Sequence, residues 1–140
     1  MRLIQFSAAL AFLLIATALF FASRRAEDST TVVKEGGPVT LAAFRETVDQ
    51  TDRPVLVKFG APWCGPCRMV DEELVKLEDS LGSKVDVLKI NVDHNRDLAQ
   101  QFQVGAIPHM ILFKDGDPIS SRVGYLEADA MANWVANLDR

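Results

Sequence analysis

The sequence predicts an α/β fold, a central mixed β-sheet with helices on both faces. Three observations carry that prediction. Val55-Leu56-Val57-Lys58-Phe59 is a mostly apolar run of strand length, the pattern of a strand buried on both faces. Val70, Leu74, Leu77 and Leu81 recur at helical spacing directly after it. Met110–Phe113 and Ser120–Val123 flank Asp115-Gly116, a strong hairpin signal. With the remaining elements the order reads βαβαβαββα, which packs as one mixed sheet between two helical layers.

Taken in order, residues 1–25 form a membrane-directed segment, 26–37 a linker and 38–140 the folded domain. Leu3 to Ala22 carry no charge, and twenty helical residues at about 1.5 Å each span a hydrocarbon layer of roughly 30 Å. Ala16-Thr17-Ala18 has the small-residue spacing of a signal-peptidase site, yet Leu19-Phe20-Phe21 continues the apolar run, which suits a retained anchor better than a signal peptide. Arg2 lies on one side, Arg24 and Arg25 on the other, so flanking charge does not orient the segment. The polar stretch ending in Gly36-Gly37-Pro38 is the linker.

A brief extended piece around Val39 opens the domain. Thr40 caps a helix from Leu41 to about Asp49, with Leu41, Phe44 and Val48 inward. Asp52-Arg53-Pro54 turns the chain into the strand Val55–Phe59. After the long helix, Gly82-Ser83 breaks the pattern, Val85–Val92 forms a strand and Arg96–Phe102 a short helix. Met131, Trp134, Val135 and Leu138 make the inner stripe of the last helix.

Charge narrows the function. The chain of 140 residues has a formal charge of -4, and from residue 30 onward 17 acidic residues face 12 basic ones. An acidic domain without a basic run argues against nucleic acid as a partner.

Trp63-Cys64-Gly65-Pro66-Cys67 holds both cysteines of the chain. A tetrahedral zinc site usually needs four ligands, and no second pair follows, so redox chemistry leads. The motif sits where a strand turns into a helix. There the unpaired N–H groups and the helix dipole favour a Cys64 thiolate, and Cys67, three residues on, shares its face. Pro66 suits the first helical turn because the N–H it lacks would have had no partner. A purely structural disulfide is the plain alternative for two cysteines.

Phe59-Gly60-Ala61-Pro62-Trp63-Cys64-Gly65-Pro66-Cys67-Arg68 resembles the active-site segment of the thioredoxin family. Gly105-Ala106-Ile107-Pro108, followed by Met110 to Gly116, resembles the family's cis-proline segment with its strand and turn, and Lys89-Ile90-Asn91-Val92-Asp93 its central strand. These matches cover roughly residues 37 to 139 in order. The resemblance implies a thioredoxin fold and thiol–disulfide exchange, most naturally in the reducing direction, since Gly65-Pro66 resembles the reducing members. Cys64, the exposed member, would attack a substrate disulfide and form a mixed disulfide, which the more buried Cys67 would resolve. Trp63, Gly65, Pro66, Lys58 and Lys89 are the implied supporting residues. Trp63, Gly105, Ile107 and a cis Pro108 are the implied substrate surface, with the Ile107 backbone pairing with an extended substrate.

Four positions depart from the family pattern. Lys58 stands where classical members carry a buried Asp thought to deprotonate the second cysteine. If buried, its neutral form is favoured and can accept a proton; if it snorkels to water, the bland reading, it is simply a cation. A cationic Lys58 would stabilise thiolate and make the pair more oxidising. His109 follows Pro108 where Thr is usual, either tuning the dithiol or lying at its rim. Glu72 replaces a helix-kinking proline, which predicts a straighter helix, and Gly60 replaces a bulky aromatic, which predicts a looser site or room for a partner. Two classes of function follow. One is a disulfide reductase held at the membrane with its domain outside the cytoplasm, in the periplasm, or released there if the leader is cut. It would act as a monomer without cofactor on disulfide-containing proteins, drawing electrons from a membrane or soluble donor. The other is a copper-handling module with Cys64, Cys67 and His109 as ligands.

Overall fold

In a computed structural model the structure describes residues 37–139. The leader, its cleavage site and most of the linker lie outside the described residues.

The elements are α1 (Leu41–Asp49), β1 (Val55–Gly60), α2 (Gly65–Leu81), β2 (Asp86–Asn91), α3 (Arg96–Gln101), β3 (His109–Lys114), β4 (Asp117–Val123) and α4 (Ala128–Ala136). The sheet order is β2-β1-β3-β4. β1 pairs parallel with β2 and antiparallel with β3, so the sheet is mixed as expected. Val39 forms no strand among the described residues; its N–H donates instead to the Asn95 Oδ1 at 2.6 Å.

β1 is buried along its whole length because both of its faces are covered. Val55, Val57 and Phe59 join Phe44 and Val48 of α1, Leu98 of α3, and Phe113 in one core. Leu56 points the other way, to Val70, Leu74 and Leu77 of α2 and Met131 and Val135 of α4. The period of two along the strand thus sorts one segment between two cores. Within the first core, Phe44 and Phe113 meet edge to face with ring centres 5.4 Å apart, a favoured aromatic geometry. Leu41, expected inward, is 39% exposed: in the first helical turn it precedes the part of α1 that reaches the sheet.

Caps and turns follow local chemistry. The Thr40 hydroxyl accepts from the Ala43 N–H at 3.1 Å, capping α1. The first turn of α4 has no side-chain cap of its own; the Glu73 carboxylate of α2 accepts from the Ala128 N–H at 3.0 Å. The hydrogen bond from Lys76, then that from Ala128, hold the Glu73 carboxyl below its ordinary range. Asp115 and Gly116 both take positive φ, 52° and 83°, as a two-residue hairpin turn between right-twisted strands requires. A Cβ on Gly116 would also run into Asp49 Oδ1. β4 begins at Asp117, three residues before the predicted start, and a register shift near Phe113 lets Pro118 sit on this exposed edge strand. α2 runs as α-helix without a break through Glu72.

Candidate active site

The dithiol lies at the junction of β1 and α2, where the parallel strand ends and the helix begins. Cys64 is the N-cap of α2, with extended backbone angles, and its sulfur accepts from the Cys67 N–H at 3.2 Å. That bond places an oriented backbone dipole on the sulfur and favours negative charge there. The two cysteines are joined as a disulfide with Cα atoms 5.2 Å apart. Cys67 is wholly buried and Cys64 is 6% exposed. The expected order of exposure holds, but Cys64 shows only an edge to solvent. Ala61, Val92 and Ile107 pack around the pair.

Gly65 and Pro66 open α2, with Pro66 in its first turn. Trp63 is 68% exposed, and its indole N–H donates to the Asp93 Oδ2 at 2.9 Å, so the ring is held at the surface beside Cys64. Asp93 is in turn fixed by its own N–H donating to Asn91 Oδ1 at 2.9 Å. The Ile107–Pro108 bond is cis, and the Pro108 carbonyl accepts from the Gly124 N–H at 2.8 Å. Gly105 is exposed and Ile107 half-buried next to the cysteines.

Lys58 follows neither simple reading. It does not reach water; it is 5% exposed. Nor is it isolated, because its Nζ donates to both Asp71 oxygens, at 2.8 and 2.9 Å. A buried ammonium is tolerable when so paired. Lys89 Nζ lies 3.8 Å from the same carboxylate. Gly60 is what admits this pair: a Cβ there would come within 2.8 Å of Lys58 Cε and Nζ and 3.2 Å of Cys67 Sγ. The room expected for a partner is therefore filled by the lysine. The sequence reading missed Asp71. Its spacing was the available signal, since Asp71 is four residues after Cys67 on the helix and so on the same face.

His109 is not a rim residue. It is 8% exposed within β3, opposite Phe59 of β1, and neither ring nitrogen has a hydrogen-bond partner. Burial pushes its pKa below the ordinary histidine value, which keeps the ring neutral. It does not join the cysteines: among the described residues no group of three or more His, Cys, Asp or Glu side chains could hold a metal ion. The copper-handling reading thus lacks its third ligand.

Comparison with known proteins agrees with this geometry. The thioredoxin family model matches residues 37–137. A thioredoxin of Rickettsia bellii (strain RML369-C) is 38% identical over 99 residues, covering 71% of this chain and 94% of that protein. Thioredoxin 1 of Synechococcus elongatus is 40% identical over 97 residues, covering 69% and 91%. Among solved structures, chloroplastic thioredoxin z superposes with a TM-score of 0.67 at 26% identity, covering 74% of this chain and 93% of that one. A chain from a study of thiol resolution in yeast mitochondrial 1-Cys peroxiredoxin gives 0.65 at 30% identity, covering 74% and 96%. A redox pair closed across a helix N-terminus, carried on this sheet and matched along the whole domain, leaves one assignment: the chain belongs to the thioredoxin family of thiol–disulfide oxidoreductases.

Proposed function

We propose that this protein works as a reductase of protein disulfides, with Cys64 as nucleophile and Cys67 as resolving thiol, held at a membrane by residues 3–22. Cys64 at the helix N-cap carries the reading: its sulfur has the outer position of the pair and the Cys67 N–H aimed at it. Exposed Trp63 and the Ile107 segment offer a substrate an apolar platform beside that sulfur, with strand-like pairing at Ile107. Reducing equivalents come from a donor dithiol, at the membrane or in solution.

The ion pair bears on the direction. A lone cation beside the sulfurs would stabilise thiolate and make the pair oxidising, but Asp71 offsets the charge of Lys58. The reading therefore expects a reduction potential near that of thioredoxin, about -270 mV. Equilibrating the domain against glutathione or dithiothreitol buffers measures it. A value of about -120 to -180 mV would instead make it an oxidase or isomerase.

A further inference from the structure

We propose that Asp71, acting through Lys58, is the proton acceptor that readies Cys67 to resolve the mixed disulfide. The proposal rests on the exchange chemistry above and assigns it a proton path. Cys67 is wholly buried, so its thiol proton has no direct route to bulk water. Lys58 Nζ and Cys67 Sγ both border one point, the place a Gly60 Cβ would take, at 2.8 and 3.2 Å from it. Beyond the lysine, both Asp71 oxygens accept from Nζ. Asp71 in turn lines a cavity of about 220 Å³ together with Lys58, Gly60, Arg68, Lys89 and Asn91, room for several waters at about 30 Å³ each. The path runs from buried sulfur to ammonium to carboxylate to an open cavity. The charged groups facing it are Lys58 from β1, Asp71 and Arg68 from α2, and Lys89 from β2. Stability alone is a poor reason for such a pair, since apolar side chains of similar volume often serve a core as well.

The step balances. Before resolution Cys67 is a thiol, Lys58 an ammonium and Asp71 a carboxylate. The thiol proton passes to Nζ as Nζ gives one of its own to Asp71, leaving a thiolate, an ammonium and a carboxylic acid. The Cys67 thiolate attacks Cys64 Sγ and forms the Cys64–Cys67 bond. The bond from Cys64 to the substrate breaks, and its electron pair leaves on the substrate sulfur. Asp71 returns its proton to cavity water and thence to that departing thiolate. Lys58 keeps its charge throughout; Asp71 is the positioning and storage site of the proton.

The test is stopped-flow reaction of the reduced protein with excess 5,5′-dithiobis(2-nitrobenzoate), between pH 5 and 8. Attack by Cys64 releases one thionitrobenzoate at a rate that scales with reagent; resolution by Cys67 releases the second. In Asp71→Asn the second equivalent is expected to lag, with resolution slowed roughly 100-fold, while the first keeps its wild-type rate. Asp71→Glu, which restores a carboxylate, is expected to recover most of the loss. If Asp71→Asn does not fold, Lys58→Met/Asp71→Leu replaces the whole pair with apolar volume and is expected to show the same lag. A second equivalent that keeps pace with wild type across the pH range, in whichever variant folds, overturns the proposal. Failure of the wild type to release two equivalents would overturn the exchange reading itself.

Discussion

His109 shows how a single side chain can carry a pH dependence without touching the chemistry. Its ring is buried with both nitrogens unpartnered, and its pKa is lowered by desolvation. The folded state therefore binds fewer protons than the unfolded state wherever pH lies between the lowered value and about 6.5. Stability there rises with pH, is fully present above about 6.5, and is lost as pH falls. The melting temperature should decline from pH 7.5 to pH 5, and His109→Leu should flatten that part of the profile. An unchanged slope in the variant would assign the effect to other groups. Nothing at the level of sequence distinguished this histidine from a ligand or a rim residue; its place opposite Phe59 in the sheet did. Lys58 and Gly60 make the same point. Each was visible as a departure, but that one makes space for the other requires their separation in three dimensions.

At the scale of elements, local rules were sufficient where the interaction is local. Thr40 capping α1, Cys64 and Pro66 opening α2, and Asp115-Gly116 turning β3 into β4 all follow from short-range stereochemistry. The turn yields a prediction. Gly116 combines φ of 83° with a Cβ position that would clash with Asp49 Oδ1. Gly116→Ala should therefore cost about 1–3 kcal/mol, the usual range for strain at such backbone angles, read as a lower urea midpoint with an unchanged slope. A midpoint within error of wild type would mean that α1 and the hairpin are less closely packed than described. Local rules were insufficient where a distant partner decides. Val39 looked extended, but Asn95 captures its N–H and also donates to the carbonyls of Gly37 at 3.2 Å and Asn91 at 2.8 Å. The bonds to Val39 and Gly37 join segments more than fifty residues apart, and no periodicity announces them.

At the scale of the whole molecule, β1 belongs to both cores and carries the active site at its end. Packing on either face of the sheet thus fixes the junction from which Cys64 and Cys67 are presented. No helix among the described residues is long and apolar enough to cross a membrane. The proposed tether rests on the uncharged run Leu3–Ala22. Cells expressing the full chain should yield the protein in the membrane fraction, released by detergent but not by alkaline carbonate, with the domain open to protease added from outside the cytoplasm. Recovery in the soluble cytosolic fraction would sink the tether. Recovery as a soluble extracytoplasmic protein would show that the leader is removed.

Hydrophobic pattern determined the fold class and the order of the elements from Leu41 onward, because periods of two or 3.6 residues and backbone limits act over a few positions, and the motif's resemblance pointed to the two reacting cysteines. The extended piece expected at Val39 is no strand among the described residues. The tertiary structure decided the electrostatics. Whether Lys58 would be a free base, a bare cation or a paired one turned on Asp71, thirteen residues away and on another element. Charge in a protein interior is set by the nearest partner in space and by how much water is excluded, and neither is a property of neighbouring residues in the chain.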